Sequence, residues 1–302
     1  MLFIIRNLKS KNIMNFLKTF ILKSFIIRVS LNLIVQAISL KMMQPNNHLL
    51  FNFMGALTFG LCLVNSIELV HECIHMSAFQ SRKANRIIGN ILSSSAFISF
   101  EDYRVKHLWH HGKIGTDQDL EFFKHTKVPG GKLEFIKNLF DPTDFFLNVI
   151  CYYKEIFHKA KNKESRKYAL LSLFSNFTYL GLSVLISIAF QSLKPITFYF
   201  ISLVFIYKPI HHLLEFPEHA FCNTKNKSIL ENTRSITGGF ISTWFTNFNN
   251  LHAEHHKYPK VKFFNLIDIH NQNRKKLLFK SDTYIDFYVE FWGLLNNEVL
   301  KK

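Results

Sequence analysis

The sequence of 302 residues has little cysteine and no recognisable secretion signal. Its N-terminal stretch lacks a small-residue cleavage site after an apolar core, so we do not interpret it as a signal peptide. Its scattered basic residues instead predict an amphipathic helix on a membrane surface. The cysteines show no CxxC pair and no disulfide framework, which fits a reducing compartment. There are four of them: Cys62, Cys73, Cys151 and Cys222.

Negative charge is also scarce, with 21 acidic against 37 basic side chains. Such a balance is found in nucleic-acid-binding proteins, but here the basic residues lie between long apolar runs. Hydrophobic residues make up 48% of the chain, with 33 phenylalanines. An excess of Lys and Arg is typical of the cytoplasmic side of membrane proteins. We therefore expect a membrane protein and no nucleic-acid partner.

Long apolar runs predict four membrane-spanning helices, since about 20 mostly apolar residues are needed to cross a bilayer. Lys23 and Arg28 interrupt the first span, and we expect both side chains to snorkel to the cytoplasmic surface. Lys208 and Pro209 break the fourth span near its end. The predicted spans are residues 20–40, 49–70, 168–190 and 195–214.

The distribution of basic residues predicts the orientation. The first 28 residues carry six basic side chains and no acidic one, and the segments 71–167 and 225–302 are also basic. The two short linkers, 41–48 and 191–194, hold one lysine each. Both termini and the metal site described below are then cytoplasmic. We expect one all-α membrane domain over residues 1–302, with a cytoplasmic helical cap that holds the site.

Two further stretches predict helices that lie at the membrane interface. Residues 86–100 are apolar but too short to span a bilayer. Residues 134–159 have a similar character and are interrupted at Asp141 and Pro142.

Eight of the fifteen histidines fall into three clusters with helical spacing. Positions i, i+3 and i+4 share one face of a helix, so we expect the imidazoles of each cluster to converge on a single point. All three clusters fall on the same predicted side of the membrane, as one shared metal site requires. They are His71 and His75 in HECIH, His107, His110 and His111 in HLWHH, and His252, His255 and His256 in HAEHH.

The ligand type does not identify the metal, because imidazole binds iron, copper, nickel and zinc. The number of histidines is more informative. One zinc site would need only three or four of them. Eight or nine indicate two metals side by side. Two redox metals at a membrane face suggest activation of O₂ and attack on an unactivated C–H bond of a lipid.

Two other classes of protein compete with this interpretation. HECIH matches the H-E-x-x-H signature of zinc metalloproteases, in which the Glu is the general base. An intramembrane metalloprotease would need a third ligand, usually an Asp in a later span, and no predicted span contains one. A metal transporter would carry its ionisable residues at mid-membrane depth, whereas these clusters follow the ends of helices.

The three clusters, with the flanking GTDQD and FFNL, resemble the histidine boxes of the membrane fatty acid desaturase and hydroxylase superfamily. EFPEHAFCN and NTRSI resemble its EH and TR elements. The resemblance implies a non-haem di-iron centre that uses O₂ and two external electrons from ferredoxin or cytochrome b5. It implies desaturation of a fatty acyl chain first, and hydroxylation or ketolation of a lipid or carotenoid second.

The resemblance also implies roles for individual residues. The eight clustered histidines would bind the metals. Carboxylates that accept a hydrogen bond from a metal-bound imidazole fix its tautomer. The candidates for that role are Glu72, Asp117, Asp119, Glu218 and Glu254, while His48, His125, His158 and His270 lie outside the boxes and receive no role.

A ninth ligand is expected near the end of the fourth span. Relatives that act on acyl-CoA carry N-x-x-x-H there, and this chain has Glu215 and His219 at that spacing. Glu215 is a candidate for direct binding to iron. Pro217 predicts a bend, after which His219 is the preferred ligand; His211 and His212, before the bend, are the alternatives.

Overall fold

A computed structural model of the chain describes residues 24–119, 129–141, 143, 147, 150 and 163–295. Within this part the chain is mostly helical, as predicted, and four helices are long and apolar enough to cross a membrane. The prediction of four spans is thereby confirmed in length and composition. The predicted N-terminal amphipathic helix and most of the predicted helix 134–159 lie outside the described residues. The four candidate spans are Phe25–Met42, Leu49–Ile74, Arg166–Ala189 and Lys194–Glu218.

The first two spans, α1 (Phe25–Met42) and α2 (Leu49–Ile74), pack antiparallel through a seam of buried polar side chains. The amide of Asn32 donates to the carbonyl of Cys62 over 2.9 Å and to the side chain of Asn65 over 2.8 Å. Gln36 donates to the hydroxyl of Ser66 over 3.0 Å. A polar group buried among apolar ones costs free energy unless it is hydrogen-bonded, so this seam fixes how α1 lies against α2.

Arg28 does not snorkel to the membrane surface, and that prediction is wrong. Its side chain is 3% exposed, and its guanidinium lies 3.1 Å from the buried carboxylate of Glu72. The rings of Phe25 and Phe248 each lie 5.5 Å from the same guanidinium. A buried partner of opposite charge offsets the desolvation of the arginine, which makes the interior position tolerable. The sequence alone does not reveal this pairing across two helices.

Two shorter helices follow, and each begins with a serine cap. Helix α3 (Arg82–Ser95) is capped by Ser81 and α4 (Phe100–Lys113) by Ser99; each side-chain oxygen accepts a backbone N–H of the first turn. The predicted helix 86–100 thus ends five residues early. Between the two helices the chain turns through Phe97, whose φ of 62° stops the helix. A fifth helix, α5, spans Lys132–Leu139.

The remaining spans are α6 (Lys163–Ala189) and a composite helix of α7 (Lys194–Ile201), a π-helix (Ser202–Tyr207) and α8 (Lys208–His219). The Nζ atom of Lys194 donates to the carbonyl of Pro45 over 2.8 Å. The two short connections between spans therefore meet at one end of the helix bundle. His71 and His75 lie at the opposite end of α2, roughly 33 Å and 39 Å from Leu49 along the helix axis.

The fourth span stays helical through both prolines, so the predicted break at Lys208 and Pro209 does not occur, and Phe216 before Pro217 is also helical. A wider turn accommodates Pro209: the N–H of Lys208 bonds to the carbonyl of Leu203, five residues earlier. Pro217 lacks the N–H that would bond to the carbonyl of Leu213. The hydroxyl of Tyr288 donates to that carbonyl instead, over 2.8 Å.

The chain after α8 forms short elements around the site. The parallel strands β1 and β2 pair in register, with Arg234 opposite Phe279. Aromatic clusters around Phe216 and Phe263 fill the space between these elements. The bounds are α9 Ile229–Asn232, β1 Arg234–Ile236, α10 Phe240–Phe245, α11 His252–Lys257, a 3₁₀ turn Phe263–Asn265, α12 Leu266–Asn273, a 3₁₀ turn Arg274–Lys276, β2 Phe279–Ser281 and α13 Tyr284–Leu294.

Candidate metal centre

The nine histidines expected from the sequence lie together in two adjacent groups. In each group, one ligand atom per residue lies within 4.8 Å of every other. Helices α2, α4, α8 and α11 carry them, or end just before them, so four separate elements meet at this point. The first histidine group is His71, His75, His107, His111 and His255, and the second is His110, His219, His252 and His256.

The expectation that each cluster converges on a single point is confirmed for His71 and His75, which both join the first group, and wrong for the other two boxes, which are split between the groups. His107 and His111 belong to the first group and His110 to the second; in α11, His255 joins the first group while His252 and His256 join the second. On a helix with 3.6 residues per turn, position i+4 is rotated about 40° from i, and i+3 about 60° the other way. Residues at i and i+4 thus stay together while the intervening histidine turns to the other group.

The nitrogens of the first group cannot satisfy one another. The Nε2 atom of His107 lies 2.5 Å from that of His71, 3.0 Å from that of His75 and 2.9 Å from that of His111. A neutral imidazole nitrogen either donates one hydrogen or accepts, so three such contacts at one atom leave lone pairs facing one another. A cation at the centre removes that conflict, since metal–nitrogen bonds of about 2.1 Å bring ligand atoms this close together.

The second group shows the same fit to a cation from a different observation. His256 is 4% exposed, and neither of its ring nitrogens has a hydrogen-bond partner among the described residues. The Nε2 atom of His252 lies 3.0 Å from that of His219. A buried imidazole without a partner costs free energy, and a bound metal would supply one.

The two groups share a wall, and burial favours the neutral form of several of their imidazoles. The rings of His111 and His256 stack with centroids 4.1 Å apart. Burial lowers the pKa of His107, His111, His255 and His256 well below 6.5, and the neighbouring imidazoles lower it further. Neutral imidazole is the form that binds a metal. The donor set therefore suits two metals side by side.

Two of the four imidazoles in the second group have a hydrogen-bond acceptor at Nδ1, which directs Nε2 towards the group. Nδ1 of His110 lies 2.8 Å and 2.9 Å from the two oxygens of Asp119, and Nδ1 of His219 donates to the carbonyl of Asn232 over 2.8 Å. Nδ1 of His252 lies 3.4 Å from Glu218. The side chain of Asn249 donates to the same oxygen of Glu218 over 3.1 Å.

A comparison with protein families decides what kind of protein carries this centre. The model of the family described as fatty acid desaturase matches residues 48–288, most of the chain. The chain belongs to the fatty acid desaturase family. No curated protein sequence matches it. Family membership implies an oxidoreductase that acts on lipids in association with a membrane, and the resemblance of the histidine boxes is confirmed.

The desaturase box HLWHH is followed by a tight turn that returns Asp119 to His110. Gly115 has a φ of +76°, and a side chain there would lie 2.3 Å from the carbonyl oxygen of Asn226. The N–H of Asp119 then bonds to the carbonyl of Thr116 over 3.1 Å. Only glycine fits this combination of backbone angle and close approach. Asp119 is buried and Asp117 is exposed, so the structure separates two acids that the sequence left equal.

Strand β1 braces the second group in this member of the desaturase family. The guanidinium of Arg234 donates to the carbonyls of Pro217 and Ala220, over 2.7 Å and 2.6 Å, at the end of α8 that carries His219. The hydroxyl of Ser235 donates to Glu254 over 2.5 Å and accepts the N–H of Ala253 over 3.0 Å. Sequence reasoning assigned no role to these two residues; the only signal was the TR element.

The other oxygen of Glu254 lies 2.7 Å from Nδ1 of His270. His270 is 4% exposed, and its Nε2 atom has no hydrogen-bond partner among the described residues. It lies outside the boxes of the desaturase family, and no motif in the sequence marked it. Glu254 thus links α11 to α12. Its described hydrogen bonds go to Ser235 and His270, which belong to neither histidine group.

Several candidates lie elsewhere. Glu72 accepts from Arg28 and, over 3.4 Å, from Asn247. Glu215 lies 3.5 Å from Nδ1 of His211 and belongs to neither metal-binding group of the described residues. The ring of His212 stacks on Phe216, with centroids 5.8 Å apart. His48 accepts the N–H of Leu50 at the start of α2, and His125 and His158 lie outside the described residues.

Proposed function

We propose that this chain is a membrane enzyme that uses two histidine-bound iron ions and O₂ to oxidise a lipid hydrocarbon chain, with desaturation of a fatty acyl chain as its reaction. Hydroxylation or ketolation of a lipid or carotenoid is the second candidate within the same chemistry. The ligands would be the nine histidines of the two groups. The whole chain, residues 1–302, would act as one domain.

One observation carries the proposal: two adjacent groups of buried histidines, each large enough for one metal. Their rings stack 4.1 Å apart at His111 and His256, so the two metals would be neighbours. Zinc in a protease or a structural site needs only one such group. Two redox-active ions held together would supply activation of O₂ with two external electrons, which ferredoxin or cytochrome b5 would deliver.

The residues around the histidines would orient the ligands and exclude water. Asp119 and the carbonyl of Asn232 hold Nδ1 of His110 and His219, so that Nε2 of each stays available for metal, and Glu218 lies 3.4 Å from Nδ1 of His252. The ring of Phe263 lies 4.9 Å from His255 and 5.4 Å from His71 and covers one side of the first group. An apolar, dry environment suits oxidation of a hydrocarbon and keeps side reactions with water slow.

The same arrangement supports a cytoplasmic site. The four spans return the chain to its starting side, and the contact of Lys194 with Pro45 brings both short connections together at the end remote from the histidines. The basic residues flank the histidine end. Both termini and the metal centre would therefore face the cytoplasm.

The geometry at Glu72 weighs against the metalloprotease alternative. A protease of the H-E-x-x-H type needs its Glu as the general base on a metal-bound water. Here that carboxylate is buried against the guanidinium of Arg28 at 3.1 Å. It also accepts a hydrogen bond from Asn247, which ties it to the chain that leads into α11.

The proposal is tested by lipid analysis in a host that lacks the activity. The chain is expressed with a ferredoxin or a cytochrome b5, and fatty acids and carotenoids are compared with those of a host expressing His111→Ala. We expect new unsaturated acyl chains only with the unaltered protein and only in air. Glu72→Gln is the second control, because a protease would lose all activity in it.

New hydroxylated or ketolated products would support the second candidate. Unchanged lipids from a protein that holds two irons, or peptide cleavage that disappears in Glu72→Gln, would overturn the proposal.

A further inference from the structure

A pocket of about 660 Å³ opens beside the first histidine group. His75 and His111 form part of its wall, and Ile74, Leu108 and Tyr168 give it an apolar side. The rest of the wall is unusually basic, and no acidic residue lines the pocket in the described part of the chain. Its basic residues are Arg82, Lys83, Arg86, Arg104 and Lys260.

These cations come from three separate elements. Arg82, Lys83 and Arg86 lie in the first turns of α3, Arg104 lies in α4, and Lys260 follows α11. Glu101 contacts Arg86 at 3.2 Å, and the guanidinium of Arg86 also lies 4.4 Å from the ring centre of Tyr168. Among the described residues, Glu101 is an acid that faces these cations.

Arg104 gives the clearest evidence for an anionic ligand. Its Nε atom is buried and has no hydrogen-bond partner among the described residues. Burial lowers the pKa of Arg104; Glu101 opposes that effect, while Arg86 and Arg82 lower the pKa further. Like charges gathered in a concave, partly buried site repel one another, and metals in the adjacent groups would add to the positive field.

The shape of the site selects among anionic partners. A volume of about 660 Å³ is typical of small-molecule sites, whereas a protein partner usually covers a broad surface of about 800 Å². Guanidinium groups match the planar oxygens of carboxylate and phosphate. A basic membrane surface alone would not require arginine within a pocket that reaches the metal ligands.

We propose that this pocket binds the anionic group, a phosphate or carboxylate, at the polar end of an acyl substrate. This inference rests on the proposed function and narrows it: acyl anions are substrates, and neutral carotenoids are not. Arg104 contacts the anion from α4 and Lys260 from the opposite wall, so that the acyl chain starts beside the first histidine group.

The test is equilibrium binding to the purified, iron-loaded full chain in detergent. The probes are palmitate, palmitoyl lysophosphatidate and methyl palmitate, which share one acyl chain and differ in charge. We expect at least one anionic probe to bind about tenfold more tightly than the neutral ester. Arg104→Gln and Lys260→Gln should remove most of that preference, whereas Lys275→Gln, at an exposed position outside the pocket, should keep it.

Lys260 is exposed, so its variant folds even where Arg104→Gln does not, and the two together keep the test informative. Competition by inorganic phosphate identifies the source of the anion: if phosphate binds tightly and no acyl probe displaces it, the site binds a free anion and the inference is overturned. Equal binding of charged and neutral probes also overturns it. A third result would also overturn the inference: the pocket variants keep their preference for anionic acyl probes but no longer accept electrons from reduced ferredoxin. The pocket would then be a binding site for the electron donor.

Binding and product formation are measured separately, which distinguishes the two proposals. If the protein prefers anionic acyl probes but oxidises no lipid, the assignment of this pocket stands and the proposed reaction is contradicted. Lipid oxidation without a charge preference would remove only this inference.

Discussion

Asp119 lies with both carboxylate oxygens within 2.9 Å of Nδ1 of His110, and both residues are buried. The acid is nine residues beyond the imidazole that it contacts, and the tight turn at Gly115 brings it back. A carboxylate in this position fixes the proton on Nδ1 and makes Nε2 a stronger metal ligand. His110 belongs to the second histidine group, so Asp119 acts on that group.

We predict that Asp119→Asn lowers metal affinity at the second group about 10- to 100-fold, because the amide keeps the shape but loses the charge. The measurement is metal retention during dialysis against a chelator series. Asp117→Asn is the matched control: Asp117 is exposed two residues away, and its replacement should change nothing. Equal losses in the two variants would show that the acids act only through the general charge of the loop.

Arg234→Gln should loosen the end of α8 that carries His219. The variant removes charge-assisted hydrogen bonds to two carbonyls, at a cost of roughly 2–4 kcal/mol in the free energy of unfolding. The same change at Arg274, whose ion pair with Asp282 is exposed, should cost under about 1 kcal/mol. Thermal unfolding in detergent, with and without metal, compares them. Similar effects of the two substitutions would contradict the bracing role of Arg234.

Metal-free protein should become less stable as the pH falls below about 6.5. Burial lowers the pKa of His107, His111 and His255 in the folded chain, whereas the unfolded chain keeps the ordinary value of 6.5. Below that pH the unfolded state binds protons that the folded state does not, so acid favours unfolding.

The midpoint of thermal unfolding of chelator-treated protein, followed from about pH 7.5 to 5.5, checks this expectation. A double variant, His107→Gln with His255→Gln, should show a shallower decline, because two of the titrating groups are gone. A midpoint that rises on acidification would contradict the account of buried neutral histidines.

Local spacing made much of this site predictable. The i, i+4 pairs of the boxes and the apolar runs of the spans are properties of single helices. The structure contains both of them largely as predicted. His219 joined the second group, and the helix continues through Pro217, because Tyr288 bonds to the carbonyl that the proline leaves open. The local effect of proline on a helix does not predict this hydrogen bond, because Tyr288 lies 71 residues further along the chain.

What the sequence could not supply are contacts between distant segments. His270 reaches Glu254 through the packing of α12 on α11, and Arg28 reaches Glu72 across 44 residues. The split of two of the boxes between the groups depends on how four helices meet, which no single box encodes. The role of Asp119 over Asp117 became visible only once the turn at Gly115 fixed which acid points inward.

The proposed orientation predicts which loops face each side of the membrane. Cysteines introduced at Lys132 and Lys275 should react with an impermeant maleimide only after cells are opened. Cysteines at Pro45 and Ser192, in the two short connections that meet at Lys194, should react in intact cells. Reaction of Lys132→Cys and Lys275→Cys from opposite sides would contradict a single shared site.

The central claim is that two metals occupy separate histidine groups, and iron content tests it most directly. His110 and His111 are neighbours in the sequence, their ring centroids lie 6.0 Å apart, and they belong to different groups. The purified protein should hold two irons per chain, whereas His110→Ala should deplete the second group and His111→Ala the first, each variant keeping about one iron. One metal per unaltered chain, or two irons retained in both variants, would contradict the account.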